Sequence, residues 1–222
     1  MTPIKPATQH TREVQAAYDA VAERYADRFF DELQHKPFDC KMLDWLAERC
    51  SKGVICDMGC GPGQVARYLH DHGVAVCGID LSPAMIAAAM ERNPGIPFSQ
   101  GNLLALTDVA DGAFAGISAF YAIVNFSKDE LPRAFAELRR VLKAGGWLLL
   151  SFHEGDETRH LDEFLERQVM LDFTFFRTGD VRSALAGAGF EVAEVMLRDP
   201  YADVEYTSRR AYVFARARPV PV

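Results

Sequence analysis

From Thr11 onward the apolar residues Val14, Ala17, Tyr18, Val21, Ala22, Tyr25 and Phe29 recur at three- and four-residue steps. That is the period of a helix lying with one face on the body of the protein. A second helix is predicted after Pro37, running to about Cys50. Short apolar runs then alternate with helical patterns, and Gly53 to Met58, Val74 to Ile79 and Ile96 to Ser99 read as strands. Between the last two, Ser82 followed by Pro83 marks a helix start, because a serine hydroxyl accepts from free backbone N–H groups and proline suits the first helical position. Ala113 to Tyr121 and Gly146 to Phe152 read as buried strands on either side of a helix over Glu130 to Leu142, with Leu131, Phe135, Leu138 and Val141 on one face. Strands separated by helices need crossover connections, hence a parallel sheet.

The last third changes rhythm. Leu161 to Met170 is expected to be helical, Asp172 to Phe176 is an aromatic segment without a clear period, and Val181 to Ala188 is a helix. Phe190 to Leu197 and Arg210 to Ala217 are strands joined by a loop with no helical pattern, so they are expected to be antiparallel. No repeat and no linker long enough to divide the chain is visible, and residues 1–222 are expected to form a single domain.

With 222 residues, 49% of them hydrophobic and 25% charged, the chain can bury one sizeable core. A net charge of −7 argues against binding to a nucleic-acid backbone. The five cysteines, Cys40, Cys50, Cys56, Cys60 and Cys77, are odd in number and form no C-x-x-C pair. They suggest reduced thiols in a cytoplasm. Met1 to Gln9 carries no apolar leader, and the longest apolar stretch, Ala113 to Val124, is broken by Gly116 and Ser118. It falls well short of the roughly 20 residues a membrane helix needs. His70 and His72 stand two apart with no third ligand nearby, so no metal site is expected.

The chemistry is concentrated in Val54 to Gly63. There a strand ends in Asp57, and Gly59, Gly61 and Gly63 turn the chain toward a helix. Alternate glycines let a ligand approach the backbone with no Cβ in the way, and a free helix N-terminus favours negative groups. The next strand ends at Asp80, where a carboxylate can accept both hydroxyls of a ribose. Two strand ends and a ribose acceptor make a nucleoside site.

These residues resemble the class I methyltransferases that use S-adenosylmethionine (SAM), in their small-molecule branch. The resemblance rests on Asp57 to Gly63, on Gly78-Ile79-Asp80-Leu81-Ser82, on Gly101-Asn102-Leu103, and on Leu142 to Trp147 ahead of a strand. It implies a Rossmann-like three-layer sandwich with a mainly parallel seven-stranded sheet and an antiparallel C-terminal strand. By the same resemblance the methionine part of SAM would lie along Asp57, Gly59, Cys60, Gly61 and Gly63, and the ribose on Asp80. Leu81 and Met85 would flank the adenine, and Asn102, where the family commonly has Asp, would meet its polar edge with Leu103. Phe120, Tyr121 and Asn125 would line the gap between sulfonium and acceptor. Tyr18 and Tyr25 match the helical segment that folds over SAM, here a lid over about residues 11–50. An insertion over about residues 154–177, with His160, Phe175, Phe176 and Arg177, would enclose the acceptor. His153, at the strand end with Glu154, is a candidate catalytic residue alongside Tyr121, suited by its ordinary near-neutral titration to hold or deprotonate an acceptor.

The expected function is in-line transfer of a methyl group from SAM to a small-molecule acceptor, with no nucleic-acid or membrane partner. No Asn-Pro-Pro-aromatic run, the pattern of enzymes that methylate amino groups of nucleobases or glutamine, is present. Two other readings share the fold. A nicotinamide-dependent reductase would want glycine where Gln64 stands and a lysine four residues after a tyrosine, and neither is found. A non-catalytic SAM-binding or partner-binding module would differ only in lacking turnover.

Overall fold

The computed structural model describes residues 9–50 and 52–219. Residues 1–8, the segment expected to carry no apolar leader, lie outside them. The elements run α1 (Gln9–Phe29), α2 (Pro37–Arg49), β1 (Ile55–Met58), α3 (Gln64–Asp71), β2 (Val76–Asp80), α4 (Pro83–Arg92), β3 (Phe98–Gln100), β4 (Phe114–Phe120) and α5 (Leu131–Val141). Then follow β5 (Leu142–His153), β6 (Thr158–Phe164), β7 (Arg167–Thr174), α6 (Thr178–Gly187), β8 (Phe190–Arg198) and β9 (Arg210–Ala217).

Seven strands form one sheet in the order β3-β2-β1-β4-β5-β9-β8. All neighbours are parallel except that β9 runs antiparallel to both β5 and β8. The chain winds outward from β1 to β3 and then returns to β4 on the other side of β1. That reversal opens a crevice at the C-terminal ends of β1 and β4, the place where open α/β sheets bind ligands. One face of the sheet is covered by α5 and α6 through Leu131, Phe135, Leu138, Val181 and Leu185. The other is covered by α2, α3 and α4 through Met42, Leu43, Leu46, Leu69, Ile86 and Ala89. This is the three-layer sandwich that the resemblance implied.

A third apolar cluster lies over the ligand edge, where Val14, Ala17, Val21 and Ala22 of α1 meet Met85 of α4 and Val169 and Leu171 of β7. Asp19 fastens α1 there by accepting from the Ala84 N–H and the Ser82 hydroxyl at the start of α4. Only α1 of the two N-terminal helices crosses this edge, since α2 packs beneath the sheet.

The segment Leu161 to Met170 is not a helix. It forms the β6–β7 hairpin, turning at Leu165 and Glu166, both with positive φ (50° and 58°). A two-residue turn of this kind fits the twist of paired strands. Helical spacing arose because the pairing slips between Leu161 and Glu163, so Leu161, Phe164 and Leu165 fall three and four apart without sharing a helix face. In β7 the true period is two, with Val169 and Leu171 buried and Met170 exposed between them.

Candidate active site

The glycine loop follows β1 directly. Gly59, Gly61 and Gly63 all take positive φ (71°, 51° and 86°), which only glycine adopts without strain. Their surroundings differ. A Cβ on Gly59 would stand 2.8 Å from the Ala122 Cβ, whereas one on Gly61 would meet nothing nearer than the Tyr25 ring at 3.8 Å. A methyl group over Gly61 would thus fit without a clash, in contact with the Tyr25 ring that lies above the loop.

Asp80, at the end of β2, reaches across to this loop. One carboxylate oxygen accepts from the Gly61 N–H at 2.9 Å and the other from the Ser82 N–H at 2.9 Å. Each oxygen keeps a further lone pair, and burial raises the pKa of the carboxyl. Asp57 is 2% exposed and accepts from the Ala66 N–H, tying β1 to the first turn of α3. Burial pushes its carboxyl up to about 8, further raised by Asp80. Two poorly solvated carboxyls beside the glycine loop favour a ligand carrying hydroxyls and positive charge. These features fit SAM, whose ribose hydroxyls would be held by Asp80 and whose cationic methionine end would lie along Asp57, Gly59, Gly61 and Gly63. Cys60 can take part only through its backbone, because its thiol is 3% exposed and turned toward Gly78.

The residues expected around the adenine gather on the far side of Asp80. Leu81 and Met85 pack in the cluster beneath α1, and the Met85 N–H donates to the Ser82 hydroxyl that caps α4. Leu103 is buried, and Asn102 closes a tight turn by accepting at Oδ1 from the Leu104 N–H. That leaves its Nδ2 donor and one lone pair for an adenine edge.

Above the loop, α1 supplies Tyr18 and Tyr25. Both phenols are buried and their pKa values are raised, chiefly by that burial and in part by nearby carboxylates, Asp80 among them. Tyr25 stacks between Tyr18, Phe29 and Phe164, so helix and hairpin close over the loop together. Asn125 binds the two: it accepts from the Tyr18 hydroxyl at 2.9 Å and donates to the Asp172 carbonyl of β7 at 3.0 Å. Its role in this structure is to hold the cover shut.

At the ends of β4 and β5 stand Phe120, Tyr121 and His153. Phe120 packs on Tyr212 in the layer beneath the sheet. Tyr121 has φ 56°, a strained value for a tyrosine. Its ring lies 5.0 Å from His153, and His153 stacks on Phe175 at 4.9 Å. The near-neutral titration expected of His153 is not what the structure supports: burial, then Arg210 and Lys36, push it down to about 3, so the imidazole is neutral and weakly basic. Of the insertion residues, Phe176 is core, while Arg177 pairs with Asp156 and His160 with Asp172 and Asp162 at the surface. The sequence reading missed Arg210, which faces His153 across the β5–β9 pair. The reading foresaw β8 and β9 as an antiparallel pair but did not place β9 beside β5, which is what brings Arg210 to His153.

The methyltransferase domain model matches residues 55–146, the stretch from β1 into β5. Over 203 residues the chain is 30% identical to malonyl-[acyl-carrier protein] O-methyltransferase of Enterobacter lignolyticus, covering 86% of this chain and 74% of that one. The chain belongs to the class I SAM-dependent methyltransferases. Demethylmenaquinone methyltransferase of Chlorobaculum parvum is 37% identical over 147 residues, 63% of this methyltransferase and 59% of the relative. Several other curated relatives are matched over about half their length. In fold, the methyltransferase is similar to 1,6-didemethyltoxoflavin-N1-methyltransferase of Burkholderia thailandensis, with TM-score 0.73, 17% identity and coverage of 99% and 93% of the two chains. Among the described residues, no helix is long and apolar enough to cross a membrane.

Proposed function

We propose that this methyltransferase transfers the SAM methyl group to a small-molecule acceptor bound where β4 and β5 end and β9 begins. The observation that carries the reading is the positive-φ glycine loop of Gly59, Gly61 and Gly63, tied through the Gly61 N–H to the half-buried Asp80 carboxylate. Relatives named for malonyl-[acyl-carrier protein], demethylmenaquinone and didemethyltoxoflavin support an acceptor group of low molecular weight. When bound, SAM supplies a methyl group already activated by the sulfonium charge. The protein's work is then alignment and exclusion of water. Asp80 would fix the ribose, the glycine loop the methionine end, and Leu81, Met85, Asn102 and Leu103 the adenine. Tyr25 and α1 would seal the site, and Tyr121 with His153 would bound the acceptor side.

Gly61→Ala tests the assignment. Its methyl group has room within the protein, so the fold survives at a cost of about 1–2 kcal/mol for the left-handed backbone, while the cofactor's approach is filled. Calorimetry should show SAM affinity lowered at least tenfold and S-adenosylhomocysteine formation lost in parallel. Unchanged affinity in a folded variant would remove the site. Tight binding by the wild-type chain without formation of S-adenosylhomocysteine from any metabolite fraction would leave a SAM-binding module.

A further inference from the structure

At the ends of β4 and β5 a chain of hydrogen bonds ends in donors with no acceptor among the described residues. Arg210, 3% exposed, opens β9 opposite His153, the last residue of β5. Its Nε donates to the Tyr121 hydroxyl at 3.2 Å, and its Nη1 to the Tyr206 carbonyl at 2.8 Å and to the carbonyl and hydroxyl of Ser208. Its Nη2 makes no hydrogen bond to the described residues. The nearest carboxylate, Glu205, stands 3.8 Å from Nε, and its oxygens are taken by both terminal nitrogens of Arg198 and by the Tyr201 N–H. Glu205 therefore offsets the Arg210 charge across 3.8 Å without accepting a hydrogen bond from it.

The Ser208 hydroxyl lies 2.7 Å from His153 Nδ1. It accepts from Arg210, and its own proton has no other acceptor among the described residues, so it donates to Nδ1. The neutral imidazole then carries its proton on Nε2, which is unbonded among the described residues. Tyr121 also accepts from Arg210, and burial raises its pKa, so it keeps a proton that no described residue accepts. Lys36 adds a second cation 5.8 Å above the Tyr121 ring, held by Glu32 at 2.6 Å. Among the described residues, three donors without an acceptor, one of them cationic, share this cluster, and its one carboxylate, Glu205, is held by Arg198 and the Tyr201 N–H.

We propose that Arg210, Tyr121 and His153 anchor an acceptor that presents an oxyanion: a carboxylate, or an enol or phenol acidic enough to arrive ionised. The proposal rests on the methyl-transfer reading and names its substrate class. For a carboxylate, one oxygen is held by the donors. The other forms a C–O bond to the methyl carbon as the C–S bond breaks, with its electron pair left on sulfur. The negative and positive charges cancel, an ester and a thioether result, and no proton moves. Ser208 and Phe175, which touch His153, also line a surface cavity of about 450 Å³ with Tyr206, where the rest of such an acceptor has room. The acidic groups on that cavity are already engaged, Glu154 by Thr178, Asp156 by Lys128 and Arg177, and Glu157 by Arg159.

Two measurements test this. First, ¹⁵N-histidine NMR of the ligand-free protein should show a neutral Nε2–H tautomer for His153. That resonance should shift saturably with acetate, not with acetamide, and not with acetate in Arg210→Gln. No response to acetate, or an equal one in the variant, overturns the proposal. Should Arg210→Gln fail to fold, Arg210→Lys keeps the charge without the guanidinium fork and should weaken the acetate response at least threefold. Second, a metabolite extract is split on an anion exchanger and each fraction is incubated with methyl-labelled SAM. Label should enter the retained fraction and fall at least tenfold in Arg210→Gln at unchanged SAM affinity. Label that mild alkali releases as methanol marks a carboxylate, and stable label an enol or phenol. Transfer confined to the unretained fraction overturns the proposal. No transfer from either fraction counts against methyl transfer itself, while the acetate titration still decides the oxyanion site.

Discussion

Both oxygens of Asp80 already hold a backbone N–H, from Gly61 and from Ser82, so this carboxylate shapes the loop before any ligand arrives. An amide in its place would set an NH₂ group against one of those two donors. Asp80→Asn should therefore lose a charged hydrogen bond worth roughly 1.5–3 kcal/mol and lower SAM affinity about tenfold or more by calorimetry. A loss under about threefold would reduce Asp80 to a brace for the loop. This part of the site was legible in the sequence because its causes are local. Glycines at positive φ and an acid at a strand end each act within a few residues of themselves. Arg210 was illegible for the opposite reason: a first-of-strand arginine looks like any surface cation until β9 pairs with β5 and carries it to 3% exposure beside His153.

At the scale of elements, the cover is α1 and the β6–β7 hairpin, joined by a shared apolar cluster, by Arg24 to Leu165 and Glu166, and by the side chain of Asn125. Asn125→Ala would remove the bonds to Tyr18 and to the Asp172 carbonyl, each worth about 0.5–1.5 kcal/mol. Amide exchange in α1 and β7 should then quicken about tenfold or more, while α5 and β5 keep their protection. Equal exchange in the wild type and the variant would place the closure in the apolar cluster of Val14, Ala17, Val21, Val169 and Leu171 instead. The helix α1 was read correctly because its apolar stripe is regular. The hairpin was read as a helix because its turn uses Leu165 and Glu166 rather than the glycine or asparagine that usually marks such a turn. A pairing slip then disguised the period of two.

Across the whole molecule, two buried carboxyls pull stability in opposite directions with pH. Glu205, held by Arg198 and the Tyr201 N–H, is lowered from 4.5 to about 2, so its contribution is present above pH 4.5 and is lost as the pH falls toward 2. Asp57 is raised from 3.8 to about 8, so the folded state holds a proton that the unfolded chain has released, and stability declines as the pH rises from about 4 to about 8. Urea unfolding of the ligand-free protein at pH 5 and pH 8 should show that decline, and Asp57→Asn, which keeps an oxygen for the Ala66 N–H, should flatten it. An identical slope in the variant would assign the decline to other groups.

The two ligand routes also differ in how open they are. Tyr18, Tyr25 and the hairpin lie over Gly61 and Asp80, whereas the cavity at Ser208 and Phe175 faces solvent. The nucleoside can exchange only when the cover lifts, so catalysis should follow a compulsory sequence in which the donor enters first and its spent form departs last. In rapid-quench experiments methylated product should appear in a burst of about one equivalent per site before a slower steady state. Asn125→Ala should speed that steady state, and a trace without a burst would mean that opening is not what limits turnover.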